Sequence, residues 1–226
     1  MGRVLPLFPL GTVLFPGLVL PLHVFEERYR DLVRDLLARP EPDQVLGVLA
    51  IRQGREVGAD GITALYAVGC AAQLSQVEAY DDGRFDIVTV GTRRFRLDEL
   101  HEPDGNQAYL QGTVTWLPDE LGDPAQVTAL DPLVRRAFGD YLEALTNASG
   151  GRLETPDLPD EALVLSHVVA ATMLLDLSDR QDLLEQPDGL HRLRRELRLL
   201  SRETGLLTTL AAAPAPELAR TPYSPN

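Results

Sequence analysis

The side chains best suited to chemistry in this chain are few and scattered. Histidines stand at positions 23, 101, 167 and 191, and a single cysteine at 70. No histidine belongs to an H-x-x-x-H pair or lies beside a pair of cysteines, so no metal-ligand spacing is present. Ser166 and His167 are adjacent in an apolar stretch. Neighbouring positions on a helix point about 100° apart, so this hydroxyl and imidazole do not form a nucleophile–base pair and are expected to pack. There is no G-x-S-x-G nucleophile elbow. Cys70 lies in the small-residue run Gly69-Cys70-Ala71-Ala72, which suits a buried structural thiol. Glu26 and Glu27 fall where a helix begins, and acids there complement its dipole. Arg192, Arg194, Arg195 and Arg198 have two readings, a phosphate site or a solvated helix face paired with Glu196. The second fits better, because cations are favourable toward a helix C-terminus. No catalytic residue, metal site or cofactor is expected.

All 21 basic residues are arginines; the chain has no lysine. A phosphate-binding P-loop requires lysine, and so do Schiff bases and Ser–Lys dyads. None of these can be built from this chain. The net charge of −13 argues against general nucleic-acid binding, which needs clustered cations. Hydrophobic and charged contents of 44% and 24% describe a soluble globular protein, and its 226 residues suffice for one large or two small domains. A lone cysteine excludes an internal disulfide and fits a reducing compartment. Residues 4–22 carry no charge, but four prolines interrupt them and no small-residue cleavage site follows. They read as neither a signal peptide nor a membrane span. A cytoplasmic location is expected.

The elements that must position any site are organised around residues 5–33, LPLFPLGTVLFPGLVLPLHVFEERYRDLV. Pro6, Pro9, Pro16 and Pro21 hold this stretch out of helix, yet most of its side chains want burial. It reads as an extended lead-in and a strand. Tyr29, Leu32, Val33, Leu36 and Leu37 then follow helical spacing over residues 25–38. On that helix Glu27 with Arg30 and Asp31 with Arg34 are opposite charges three apart.

Residues 45–51, VLGVLAI, read as a strand covered on both faces. Residues 53–60 form a polar loop. Residues 65–80 form one or two strands bent near Gly69, and Asp81-Asp82-Gly83 a hairpin turn. Residues 84–90 return, Gly91 breaks the run, and residues 93–97 continue with Phe95 and Leu97 opposite Arg94 and Arg96. A turn at 103–106 precedes a strand at 109–116. About six strands with one helix should curl toward a barrel.

Residues 117–124 mark a boundary, after which helical spacing takes over. Residues 125–145 form a helix and 147–159 a loop. Residues 160–175 should be the most buried helix, being apolar on nearly all sides. Ser178 with Gln181 reads as a capping box opening a helix over 179–185, and a last helix covers 190–207. The expected fold class is α+β, with a β-rich domain over residues 1–118, a helical bundle over 125–210 and a disordered tail over 211–226.

Three segments carry a family resemblance. Residues 5–33 resemble the opening of the Lon protease N-terminal, substrate-binding domain. VGTRRFRL resembles that family's G-x-x-R-F segment after a D-G-R hairpin, and LSDRQDLLEQPDGLHRLRRELRLL resembles its C-terminal helical run. The order is right from residue 5 to about 207. The resemblance implies a PUA-like pseudo-barrel followed by a helical bundle. It also implies a non-enzymatic module that recognises peptide or unfolded-protein segments, of the free-standing bacterial kind, without the ATPase and peptidase modules of full-length Lon. An extended apolar chain would lie in a groove floored by the proline-rich stretch, by strand addition or side-chain pockets. Phe15, Phe25 and Tyr29 are the candidate contacts, with Glu27 and Arg28 at the rim. The alternatives are an adaptor acting in trans with a protease or other partner, or a stand-alone peptidase. No nucleic-acid or membrane partner is expected.

Overall fold

The computed structural model describes residues 2–54, 62–103, 108–149 and 157–212. Strands β1 (Arg3–Leu10) and β2 (Val19–Val24) occupy the proline-rich stretch, and α1 (Glu27–Leu37) follows. β3 (Val45–Gly54), β4 (Ile62–Leu65), β5 (Val68–Ala79), β6 (Phe85–His101) and β7 (Gln111–Trp116) complete the sheet. Helices α2 (Pro124–Ser149), α3 (Ala162–Thr172), α4 (Leu177–Glu185) and α5 (Gly189–Ala212) come after it. The fold is α+β, with seven strands described rather than about six.

Strand order is β1-β7-β6-β5-β3-β4, and β1 also pairs with β3. The ladder β1-β7-β6-β5-β3 therefore returns to β1 and closes a ring. All its pairs are antiparallel except β1–β3. Leu5, Leu7, Leu49, Ala71, Phe95 and Val114 pack together, with every ring strand contributing, as the inside of a closed ring requires. On the outside, α1 buries Tyr29, Leu32, Val33 and Leu36 against Phe8, Val48 and Ile87. The helices bury Phe138, Tyr141, Val169 and Leu193 in a core that includes Val13, Phe15 and Ala50 of the sheet half. β3 is thus covered on both faces, as its unbroken apolar run demands.

The prolines fit the ladder. Leu7 N–H donates to Leu110 O, so odd-numbered residues of β1 face β7 and even-numbered ones face β3. Pro6 faces β3 one residue before that ladder begins, and Pro9 faces the β7 side after that one has ended. Neither missing donor removes a sheet bond.

Several elements differ from expectation. The stretch expected to hold an extended lead-in and one strand holds two strands, β1 and β2. Gly91 does not break β6. It sits at a register shift within one continuous strand, where a Cβ would lie 2.3 Å from Phe15 O. The 65–80 stretch is interrupted at Tyr66–Ala67, before Gly69, separating β4 from β5. α4 starts earlier than the capping-box reading. Its cap is Asp176, whose side chain accepts from Asp179 N–H, while Gln181 turns away and donates to Val68 O at 2.9 Å. α2 continues through Pro132 to Ser149. The expected hairpin turn is present, with Gly83 at φ +83°. The expected turn at 103–106 and tail at 211–226 lie largely outside the described residues, as do most of the 53–60 and 147–159 loops.

Candidate functional site

β2 leaves the ring to pair with the near half of β6 (Val24↔Phe85 through Val19↔Val90), and the chain then turns into α1. A cleft of about 170 Å³ opens between the end of β1 and the end of β2, lined by Phe8, Pro9, Leu10, Leu22, Phe25 and Tyr29, with His23 and Glu26 at its polar side. That is about six waters' share of liquid volume, room for one large side chain and too little for a drug-sized ligand. Its floor is rigid, since the Phe8 and Tyr29 rings stack with centroids 4.2 Å apart. Its lip is Phe25, 50% exposed and stacked on His23 at 6.2 Å.

The structure brings some of the expected contact residues together and separates others. Phe25 and Tyr29 line the cleft. Arg28 lies over the Tyr29 ring, its guanidinium carbon 4.5 Å from the centroid, and pairs with Glu26 at 3.0 Å. Glu27 points elsewhere, pairing with Arg30 and Arg34 on the outward face of α1. Phe15 is 1% exposed and belongs to the core shared with the helices; no ligand reaches it there. Sequence reasoning missed Phe8, Leu10, Leu22 and Glu26 as lining residues. The signal was their place in the same stretch, and which of its apolar side chains stay accessible is decided by the closure of the ring.

A second concavity of about 570 Å³ lies on the sheet beside the cleft, lined by Pro21, His23, Gln76, Glu78, Asp86 and Val88 among others. Here Asp86 bridges His23 Nδ1 and the Tyr80 hydroxyl, both at 2.6 Å. The Tyr80 bond first, and His23 second, hold its carboxyl below the usual range.

Away from the cleft, buried polar groups cross the seam between sheet and helices. Arg94, on the face of β6 opposite Phe95 as expected, is covered by the helices and only 1% exposed. It donates to Leu184 O, Gln186 O and Pro118 O at 2.8, 2.5 and 2.8 Å, so it satisfies carbonyls at the C-terminus of α4. Arg192, assigned to the solvated arginine face, is fully buried and donates to Leu183 O and Ser166 Oγ. Its neighbours do lie outward. Arg195 pairs with Asp179 and Asp182, and Arg194 bonds Gln126. Asp119 Oδ2 lies 2.9 Å from His167 Nε2. This carboxylate and imidazole lack a nucleophile, because Ser166 Oγ donates to Leu163 O and accepts from Arg192. Cys70 is buried, and burial pushes its thiol up to about 12, so it is no nucleophile near neutrality. Among the described residues no metal-binding cluster occurs, and no helix is long and apolar enough to cross a membrane.

Comparison with known proteins identifies the architecture. The family model of the ATP-dependent protease La (LON) substrate-binding domain matches residues 4–202. Lon protease 2 of Myxococcus xanthus is 28% identical over 207 residues, 91% of this chain and 24% of the relative. Lon protease of Escherichia coli strain K12 is 25% identical over 204 residues, 90% of this chain and 25% of the relative. The chain thus spans about a quarter of the length of these relatives. The crystal structure of a Lon N-terminal domain protein from Xanthomonas campestris, 27% identical, superposes with a TM-score of 0.56 over 88% of this chain and 98% of that one. The N-terminal domain of the Mycobacterium avium complex Lon protease, 19% identical, shares the fold with a TM-score of 0.59 over 90% and 98%.

Proposed function

The chain belongs to the Lon substrate-binding domain family, and we propose that it is a non-enzymatic module that binds exposed peptide or unfolded-protein segments in the cytoplasm. The observation that carries this reading is the cleft beside β2. An apolar pocket the size of one side chain, with a rigid aromatic floor and a half-exposed Phe25 at its lip, suits an anchor residue of an extended chain. Phe25 and Tyr29 make the contact, and Glu26 with Arg28 forms the rim. Folded proteins keep such anchors in their own cores, so the pocket selects unfolded segments. The chain's lack of lysine leaves it no P-loop and no Ser–Lys dyad of its own.

The closed ring is read as a PUA-like pseudo-barrel over residues 1–118, and the helices over 125–210 as a bundle packed on it. The relatives carry the matched region within chains about four times longer, the match filling 24% of the first. This favours a protease component as partner, in the same chain or in trans.

The test is fluorescence anisotropy with a reduced, unfolded polypeptide and its folded form as control. Saturable binding of the unfolded form, weakened about tenfold by Phe25→Ala, is expected. Equal binding of both forms, or of neither, overturns the reading.

A further inference from the structure

β2 presents one edge to β6 and leaves the other unpaired; among the described residues it has no second partner strand. Which of its groups face that open edge follows from the register. Gly91 N–H donates to Leu18 O at 2.8 Å, and 18 stands opposite 91 in the ladder that pairs Val19 with Val90. Hydrogen-bonded and non-hydrogen-bonded pairs alternate in an antiparallel ladder. Leu20, Leu22 and Val24 therefore bond β6, and Val19, Pro21 and His23 turn their backbone groups outward. Pro21 confirms the assignment, since a proline in the bonded set would cost a ladder bond. The open edge offers the N–H groups of Val19 and His23 and the carbonyls of Val19, Pro21 and His23.

Exposed strand edges are normally blunted by charged side chains, proline or short length. β2, VLPLHV, has no formal charge with His23 neutral; Pro21 and brevity are its protection. Val19 is 62% exposed at one end, and Phe25 is 50% exposed just past the other.

The charges lining the two adjoining concavities have one sign. Glu26 lines the cleft, Glu78 and Asp86 line the sheet face, and among the described residues no arginine lines either. Glu26 is compensated by Arg28, while Asp86 is hydrogen-bonded by the His23 ring and the Tyr80 hydroxyl. Arg84, whose Nη1 lies 3.5 Å from His23 Nε2, pairs with Asp82, and Arg30 pairs with Glu27.

We propose that the occupant of this surface is an extended, cationic–apolar peptide segment that adds as a strand to the open edge of β2. It places one apolar side chain in the cleft between Phe8, Tyr29 and Phe25 and an arginine or lysine against Glu78 and Asp86. This rests on the reading above and deepens it. Main-chain pairing makes recognition tolerant of sequence, the pocket asks for one apolar anchor, and the acids favour basic flanks over acidic ones.

The experiment compares synthetic peptides sharing one apolar core. One version carries flanking arginines, one carries flanking glutamates, and one keeps the arginines but is N-methylated on alternate core amides. Binding is read by anisotropy at low and high salt, beside an unfolded polypeptide as reference. The arginine peptide is expected to bind about two- to fivefold tighter than the glutamate peptide, a margin typical of exposed charge pairs that shrinks at high salt. The margin should also shrink in the surface variant Glu78→Gln/Asp86→Asn, and N-methylation should abolish binding. Equal binding of the two charged versions, or indifference to N-methylation, overturns the proposal. If the unfolded polypeptide still binds in a Phe25-dependent way, the broader peptide-binding reading survives that failure. If nothing binds, both fall. Concentration-dependent dimerisation abolished by Val19→Lys would assign the edge to a second copy of the chain and overturn the proposal too.

Discussion

Arg94 on β6 and Arg192 on α5 approach the same carboxylate oxygen, Asp119 Oδ1, at 3.3 and 3.7 Å. Both guanidiniums are at most 1% exposed, and His167 takes the other carboxylate oxygen. One acid on the connection between sheet and helices thus balances two buried cations from opposite sides of the seam. Burial alone would raise the Asp119 carboxyl, but the His167 bond and the two arginines outweigh it and hold it below the usual range.

Asp119→Asn is therefore expected to destabilise by on the order of 3 kcal/mol, because it leaves two buried charges without their counter-ion. The wild type should also weaken in acid. Folding depresses the Asp119 pKa, so its contribution is full above the unfolded carboxylate value and is lost as pH falls through the folded one. Burial, chiefly, depresses His167 as well, so protonation of the unfolded chain below roughly pH 6.5 adds to the loss. Thermal melts across pH check both. A His167→Gln variant should lose the limb nearest pH 6 and keep the lower one.

Glu196 presents the opposite case. Expected on the solvated arginine face, it is instead fully buried on α5, and among the described residues neither side-chain oxygen has a hydrogen-bond partner. Burial raises its pKa well above the usual range, with Arg192 opposing. Folding therefore costs stability as pH rises above the unfolded carboxylate value. Glu196→Met should stabilise the protein near neutrality by about 1–3 kcal/mol, the cost of a buried polar group without partners. The difference in Tm between variant and wild type should widen from pH 5 to pH 7. A variant less stable than wild type at pH 7 would show that the carboxylate is ionised and held by Arg192.

How far these features can be read from sequence depends on the range of the contacts that decide them. α1, the Asp81-Asp82-Gly83 turn, β3 and the β7 strand rest on spacing within a few residues, and they appear close to where spacing puts them. The burial of Arg94 and Arg192 does not. Alternation puts Arg94 opposite Phe95, where it lies, and helical position puts Arg192 outward, but Arg94 reaches carbonyls 90 and 92 residues away. Nothing near either arginine announces that partner. The cap of α4 shows the same competition at short range. Ser178 satisfies the motif, but Asp176 reaches the free N–H and Ser178 donates to Asp176 instead. For the cleft, the right stretch was legible and the right members were not, since Phe15 and Phe25 occupy similar apolar surroundings in the chain and are parted by topology.

Gly91 tests the packing of the leader on β6. A methyl group there would lie 2.3 Å from Phe15 O and 3.3 Å from Cys70 Sγ, and the backbone oxygen cannot move aside as a flexible side chain would. Gly91 N–H also holds Leu18 O. Gly91→Ala should cost about 1–3 kcal/mol through overpacking, read as a lower denaturant midpoint with an unchanged m-value. Gly139, whose added Cβ meets nothing within 4 Å, is the control. Its alanine variant should be neutral or stabilising by up to about 1 kcal/mol, alanine being the better helix former.

Phe15 and Phe25 give the sharpest separation of structure from recognition. Phe15, 1% exposed among Val13, Phe138 and Leu165, should cost about 3–5 kcal/mol when truncated to alanine. Under conditions where the variant remains folded, its affinity for unfolded polypeptide should be unchanged. Phe25, 50% exposed, should show the reverse: little change in Tm on Phe25→Ala, and about tenfold weaker binding. Melting and anisotropy on the same two variants suffice. If truncating Phe25 unfolds the protein while leaving affinity intact, its exposed ring is a structural lip of α1 and the contact surface must be sought elsewhere on β2.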